Sequence, residues 1–308
     1  MAIKRKRPLK VGVQLPEVER EVRWPELRDM ARTAEQIGFD SLWVGDHLLY
    51  RKPLGPVAPW EAWTTMASLA EMTTRVEIGP LVACTAFHNP PVLAKMASTL
   101  DEISGGRFIL ALGAGWNEPD FTAFGLPYDH RASRFEEAFT IIRTLLREGQ
   151  IDFQGEFYSA RDCELLPRGP RPNGPPLMLG SIGERLLRFT APHIDAWNAW
   201  HDWFGNTPEG LAPYNAAVDE AARAAGRDPA AVERTVTVLL QLTGGTGRAA
   251  GGEIAKPTPP LKGTAEEIAR AIARYAEVGV SHVQLVIDPI TVASIEECGP
   301  VLELLDRS

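Results

Sequence analysis

The 308 residues contain three cysteines, Cys84, Cys163 and Cys298, too few and too widely spaced for a disulfide framework, and no C-x-x-C pair to begin a structural zinc site. That scarcity fits a reducing compartment, and a cytoplasmic location is expected. The six histidines, His47, His88, His130, His193, His201 and His282, form no H-x-H pair and no H-E-x-x-H, so no catalytic metal is expected. No G-x-S-x-G is present, which leaves a serine hydrolase of that type without support. Apolar runs are strand-length, and none predicts a membrane span. Positive charge is outnumbered, 32 Lys and Arg against 40 Asp and Glu for a net −8, so a general nucleic-acid surface is disfavoured. The one dense basic run, Lys4-Arg5-Lys6-Arg7, reads as a solvated N-terminus.

What is present is a repeated alternation. Lys10 to Leu15 is a short β-rich run, and Pro25 to Ile37 follows with Leu27, Met30, Ala31, Ala34 and Ile37 at helical spacing. Pro25 sits where helices begin and Gly38 where they end. Asp40 to Gly45 is again a strand, which completes a βαβ unit with parallel pairing. Further strands are predicted at Val76–Ala83, Arg107–Gly113, Leu177–Gly180, Asp195–Ala199, Thr235–Thr243 and His282–Ile287. Helices are predicted at Pro59–Met72, Pro91–Ile103, Arg131–Glu148, Gly183–Ala191, Thr207–Ala225, Thr264–Val278 and Val292–Leu305. Eight strands and eight helices, with no glycine-rich turn after the first strand, favour an α/β fold of the closed (β/α)8 TIM-barrel type over a doubly wound sheet. The chain is read as a single domain over 1–308. Two segments stand outside the repeat as insertions: a hairpin within Ile151–Leu166, and the Gly- and Pro-rich loop Gly244–Pro260, either a lid or an untidy connection.

Barrel chemistry gathers at the C-terminal strand ends. Those ends carry Gln14, Asp46-His47, Val82-Ala83-Cys84-Thr85, Gly113-Ala114-Gly115-Trp116-Asn117-Glu118, Gly180-Ser181-Ile182-Gly183 and Trp197-Asn198. The seven lysines, Lys4, Lys6, Lys10, Lys52, Lys95, Lys256 and Lys262, all fall elsewhere, which argues against Schiff-base chemistry. Asp46-His47 suits general acid–base work, the carboxylate raising or orienting the imidazole; the blander alternative is a capping Asp beside a satisfied His. Gly180-Ser181-Ile182-Gly183 opens a helix and could cradle an anion, or be simply a tight turn. Gly113 to Glu118 could admit a flat ring, with Asn117 at its polar edge, or only turn the chain. Trp197, Trp200, Trp203 and Phe204 could wall an apolar pocket or belong to the core.

In order along the chain, Gly38-Phe39-Asp40-Ser41-Leu42-Trp43-Val44-Gly45-Asp46-His47, Val76-Glu77-Ile78-Gly79-Pro80-Leu81-Val82, Asn89-Pro90-Pro91-Val92-Leu93-Ala94-Lys95, Leu100-Asp101-Glu102-Ile103-Ser104-Gly105-Gly106-Arg107-Phe108, Gly113–Glu118 and Pro176-Leu177-Met178-Leu179-Gly180-Ser181 resemble the luciferase-like monooxygenase superfamily. The resemblance is greatest to its branch that uses the deazaflavin coenzyme F420. It implies a ring held at the C-terminal face on a bulge of the third strand, with a non-proline cis peptide at Leu81-Val82. It implies His47 with Asp46 as the catalytic pair. Leu81, Val82, Thr85, Gly113 and Asn117 would contact the ring, and Gly180, Ser181 and Gly183 would hold phosphate. The substrate pocket would include Arg51, Trp116, Trp197 and Trp200. Arg51, four residues beyond His47, stands where sugar-phosphate-oxidising relatives carry Trp, and Trp116 stands in place of an acid; both point away from a sugar phosphate.

The expectation is therefore a coenzyme F420-dependent oxidoreductase transferring a hydride to or from a small organic substrate, assembled as a homodimer or higher homo-oligomer. One alternative is an FMN-dependent monooxygenase using reduced flavin and oxygen, and another a non-catalytic coenzyme-binding protein. An acidic chain must attract an anionic coenzyme tail locally, and Arg168 and Arg171 before the fifth strand are the candidates.

Overall fold

A computed structural model describes residues 7–53, 55–246 and 258–307. Eight parallel strand positions form the predicted barrel: Lys10–Gln14, Ser41–Val44, Glu77–Pro80 continued by Ala83–Cys84, Leu110–Gly113, Leu177–Leu179, Ala196–Ala199, Glu233–Gln241 and Val280–Asp288. First and last strands pair in parallel register, Lys10 with His282. The third strand is split. Glu77–Pro80 pairs with the second strand and Ala83–Cys84 with the fourth. A bridge from Ile78 to Phe108, with Ile109 N–H donating to the Ile78 carbonyl at 2.9 Å, closes the seam. Leu81 and Val82 lie in the break, and the peptide between them is cis.

Local signals place the helices. Pro90–Ile103 begins after Asn89, whose side chain accepts from the Val92 N–H, and Ala265–Glu277 opens with a capping box between Thr264 and Glu267. The latter buries Ile268, Ala269, Ile272 and Tyr275, one helical stripe against the barrel. The predicted helix over Val292–Leu305 is two, Val292–Glu297 and Gly299–Arg307, because Pro300 lacks the N–H needed to continue the first. Thr207–Ala225 likewise divides into a 3-10 turn, Pro208–Leu211, and a helix, Ala212–Ala224.

Strands Gln150–Gln154 and Ser159–Glu164 form the expected inserted hairpin. In the second insertion, residues 247–257 lie outside the described residues; at its return, Gln241 N–H donates to the Leu261 carbonyl at 2.8 Å. Two small elements were not expected, a hairpin of Tyr50–Lys52 with Gly55–Val57 and a helix at Glu118–Phe124. Lys4, Arg5 and Lys6 also lie outside the described residues, but Arg7 contradicts a solvated run. It is buried, bonded to Asp306 at 2.8 Å and to the Gly38 carbonyl at 3.0 Å, where it ties the N-terminus to the last helix. Among the described residues, no helix is long and apolar enough to cross a membrane.

Candidate active site

A cavity of about 580 Å³ opens at the C-terminal mouth of the barrel. Its lining includes Leu81 and Val82 from the third-strand break and Gly113 and Gly180 from the next two strand ends. A Cβ on Gly113 would fall 2.8 Å, and one on Gly180 2.7 Å, from the Val82 methyls, so only glycine lets these strand ends close around Val82. Trp116, Trp200, Trp203 and Tyr214 contribute aromatic walls.

His47 enters the cavity just beyond the second strand, its side chain 16% exposed. Nδ1 meets Asp120 Oδ2 at 2.7 Å, and Nε2 lies 3.9 Å from Glu17 Oε1. The ring also packs 4.7 Å from Tyr50 and 5.5 Å, edge-on, from Trp116. Burial by itself depresses an imidazole pKa, but the hydrogen bond to Asp120 and the charges of Glu17, Asp120 and Asp46 outweigh it, and His47 titrates above its ordinary value. Asp120 is fully buried. Burial opposes its charge, yet the bond and charge of His47, the Leu49 N–H and the Asn117 amide hold it below the usual carboxylate range. Asp120 also accepts from the Leu48 N–H at 3.0 Å, so the carboxylate that orients His47 fixes its loop as well.

The expected hydrogen-bond partner of His47 is thereby corrected from Asp46 to Asp120, while the Asp46 charge still helps to raise the imidazole. Adjacent side chains leave the chain in different directions, and Asp46 turns to the third strand, accepting from the Cys84 N–H at 2.9 Å and facing His88 Nε2 at 3.4 Å. Asp46 still lines the cavity. Burial and the Asp46 charge push the neighbouring Cys84 thiol well up.

Of the other predicted residues, Leu81, Val82, Gly113, Gly180, Ser181, Trp116 and Trp200 line the cavity. Five do not. Thr85 is buried with its hydroxyl on the Gly113 carbonyl at 3.3 Å, and Asn117 is turned to the Leu49 carbonyl at 2.9 Å, supporting Asp120 rather than a ring. The Gly183 N–H donates to the Ser181 hydroxyl at 3.1 Å, closing the turn on itself. Trp197 belongs to the main core and donates to the Ser181 carbonyl at 2.8 Å, while Arg51 is exposed on the small hairpin. Arg168 and Arg171 stand at the opposite end of the barrel. Arg168 caps the Leu146 carbonyl at 2.7 Å, and Arg171 is bound to Asp101 and the Phe108 carbonyl. Among the described residues, no cluster of His, Cys, Asp or Glu is arranged to hold a metal ion.

The profile described as luciferase-like monooxygenase matches residues 10–244. The chain belongs to the luciferase-like monooxygenase family. Pyrimidine monooxygenase RutA of Cronobacter sakazakii is 36% identical over 176 residues, 54% of this chain and 50% of that protein. F420-dependent glucose-6-phosphate dehydrogenase of Amycolatopsis mediterranei is 32% identical over 224 residues, 70% of this chain and 64% of that protein. The match thus spans about half the length of the RutA relative and under two thirds of the dehydrogenase. An F420-dependent secondary alcohol dehydrogenase in complex with an F420-acetone adduct has a TM-score of 0.80 at 21% identity, covering 96% of this chain and 99% of its own. Riboflavin lyase RcaE, with modified FMN and riboflavin, has a TM-score of 0.77 at 16% identity, covering 96% and 91%. At such identities the likeness shows the shared barrel.

Within this luciferase-like barrel, sequence reasoning placed Asn198 at a strand end that reaches the cavity but missed Glu17, Tyr50, Asp120 and Asp202. Asp120 had a local signal: Glu118-Pro119-Asp120 is a helix start with proline in its first turn, two residues beyond the strand-end motif. Glu17 and Tyr50 had none, because their 2.6 Å hydrogen bond joins the segment after the first strand to the small hairpin, 33 residues apart.

Proposed function

We propose that this chain is a coenzyme F420-dependent oxidoreductase that moves a hydride between the deazaflavin and a small organic substrate. The observation that carries the reading is the His47–Asp120 pair, 2.7 Å apart, facing a cavity lined by Leu81, Val82, Gly113 and Gly180. These residues fit a flat ring, since the glycines add no side chain beside Val82, and about 580 Å³ lies within the ~300–1,000 Å³ range of small-molecule sites. When bound, the coenzyme supplies the hydride-carrying centre. Leu81 and Val82 would support its ring, and Gly180 with Ser181 would lie along its phosphate-bearing side.

His47 works at Nε2. Asp120 engages Nδ1, which leaves Nε2 toward the cavity to hold or deliver the proton that accompanies hydride transfer. The hydrogen bond to Asp120 and the nearby carboxylate charges raise its pKa, which favours the protonated ring. Trp116, Trp200 and Trp203 would wall the reacting centre with apolar surface. The glucose-6-phosphate dehydrogenase relative and its F420 dependence support the coenzyme. A charge-linked, solvent-accessible histidine also supports catalysis over a purely coenzyme-binding role.

The second reading, a monooxygenase using reduced FMN and oxygen, has the RutA relative in its favour. Titrating apoprotein with each coenzyme, followed by tryptophan fluorescence, separates the two. Saturable binding of F420 in preference to FMN is expected; tight FMN binding without F420 binding overturns the assignment.

A further inference from the structure

Strand alternation gives the sixth strand, Ala196–Ala199, two faces. Trp197 and Ala199 join the main core, while Ala196 packs with Trp43, Leu81 and Met178 inside the barrel, so Asn198 is delivered to the interior beside it. Asn198 is 3% exposed and lines the cavity. Its amide nitrogen donates twice, to Thr235 Oγ1 at 2.8 Å and to Gln284 Oε1 at 2.9 Å. The Thr235 hydroxyl directs its own hydrogen to Met178 Sδ at 3.3 Å, so toward Asn198 it can only accept, and this fixes which end of the amide meets the barrel wall. With both nitrogen hydrogens committed, the carbonyl oxygen Oδ1 is the polar atom that Asn198 keeps for the cavity, and an acceptor buried there calls for a donor. The second and sixth strands stand opposite each other in the eight-strand circle, so this fixed acceptor lies across the mouth from His47. Trp116, Trp200, Leu81 and Val82 line the same cavity.

Resting on the oxidoreductase reading above, we propose that Asn198 is the residue that selects the substrate, and that the substrate is an elongated, flat compound polar at both ends, with an oxygen at the reacting carbon for His47 Nε2 and a neutral O–H or N–H at the far end for Asn198 Oδ1. Rotating the amide to offer a hydrogen instead would break its bonds to Thr235 and Gln284, so the site cannot adapt to a ligand that presents a lone pair there. Such a ligand leaves two acceptors facing each other without a hydrogen, which a site built around a hydrogen bond rejects far more strongly than it rejects a missing methyl group. The amide carries no net charge, so the partner it suits is a neutral donor. Thr235 and Gln284 act through Asn198 as positioning residues, and the apolar body of the substrate lies along Trp116 and Trp200.

Binding is measured by calorimetry on the protein alone and again with F420 present, at a pH where the phenol is neutral, using 4-hydroxyacetophenone, 4-fluoroacetophenone and 4-methylacetophenone. These ketones share one shape and differ in the group opposite the carbonyl. 4-Hydroxyacetophenone is expected to bind about tenfold or more tightly than the other two, and in Asn198→Ala the three affinities should converge to within about threefold. Equal affinities, or no saturable binding, in the unaltered protein overturn the proposal without reference to any variant, so poor folding of Asn198→Ala does not shield it. A preference that survives undiminished in Asn198→Ala overturns the assignment of the acceptor. A preference that is present in the protein alone and vanishes once F420 is bound places Asn198 against the coenzyme and overturns the substrate assignment. Failure of F420 to bind strikes the coenzyme reading alone, since the order of the three ketones is first read without it.

Discussion

Two histidines lie near opposite ends of the same barrel, and their surroundings drive them in opposite directions. His47, at the C-terminal mouth, is bonded to a carboxylate and titrates above its ordinary value. His282, near the start of the last strand, is buried against the Ser41 hydroxyl at 2.7 Å, and Ser41 also accepts from Trp43 Nε1 at 2.7 Å. There burial, then the Lys10 charge, push the pKa down to about 3. Desolvation acts on both rings; what decides the sign is whether the partner carries charge. The mouth favours the protonated ring, whereas the floor keeps its histidine neutral and structural.

The sharpest way to break that contrast is to remove each ring. His47→Ala is expected to lower kcat by about 10²–10⁴, the usual worth of a positioned acid–base group, with the far-UV circular dichroism unchanged. His282→Asn should spare kcat relative to that loss; equal losses in the two variants would defeat the division of labour.

The next effect is on stability against pH. His282 has a folded pKa below its ordinary 6.5, so its contribution is complete above pH 6.5 and is lost as pH falls toward about 3. The loss approaches about 1.4 kcal/mol per pH unit within that window. His47 has the opposite sign: its contribution is complete below the ordinary imidazole range and is lost as pH rises through its raised folded pKa. Urea midpoints measured across pH should therefore lose part of their acid-side slope in His282→Asn and not in His47→Ala.

A smaller loss is expected from Ser41→Ala, which removes the partner of both His282 and Trp43 and should destabilise by about 1–3 kcal/mol without moving the pH–rate profile. Asp120→Asn should move that profile instead, carrying the His47 limb toward acid because a neutral partner no longer favours the imidazolium. A limb that stays in place would remove Asp120 from its orienting role.

The barrel was legible because its signals are local. Apolar periodicity, Pro25 and Gly38 at helix ends, and Thr264 with Glu267 as a cap each act within a few residues. Within the candidate site, legibility stopped at the backbone. Strand ends correctly located His47, Val82, Gly113 and Gly180 at the cavity, yet the partner of His47 was taken to be its sequence neighbour, when Asp120 arrives from a helix 73 residues away. Arg168 and Arg171 show the reverse failure. They precede a strand, and what precedes a barrel strand lies at the N-terminal end, where these arginines instead cap carbonyls and bind Asp101.

The sequence by itself determined the eightfold alternation, the family pattern over residues 10–244 and the residues delivered to the mouth, since these follow from hydrophobic period and chain direction. Tertiary structure alone decided which carboxylate meets which imidazole. It also decided that Trp197 is core while Trp200 is wall, and that the lining carries three carboxylates, because side-chain orientation and long-range proximity exist only once the barrel has closed.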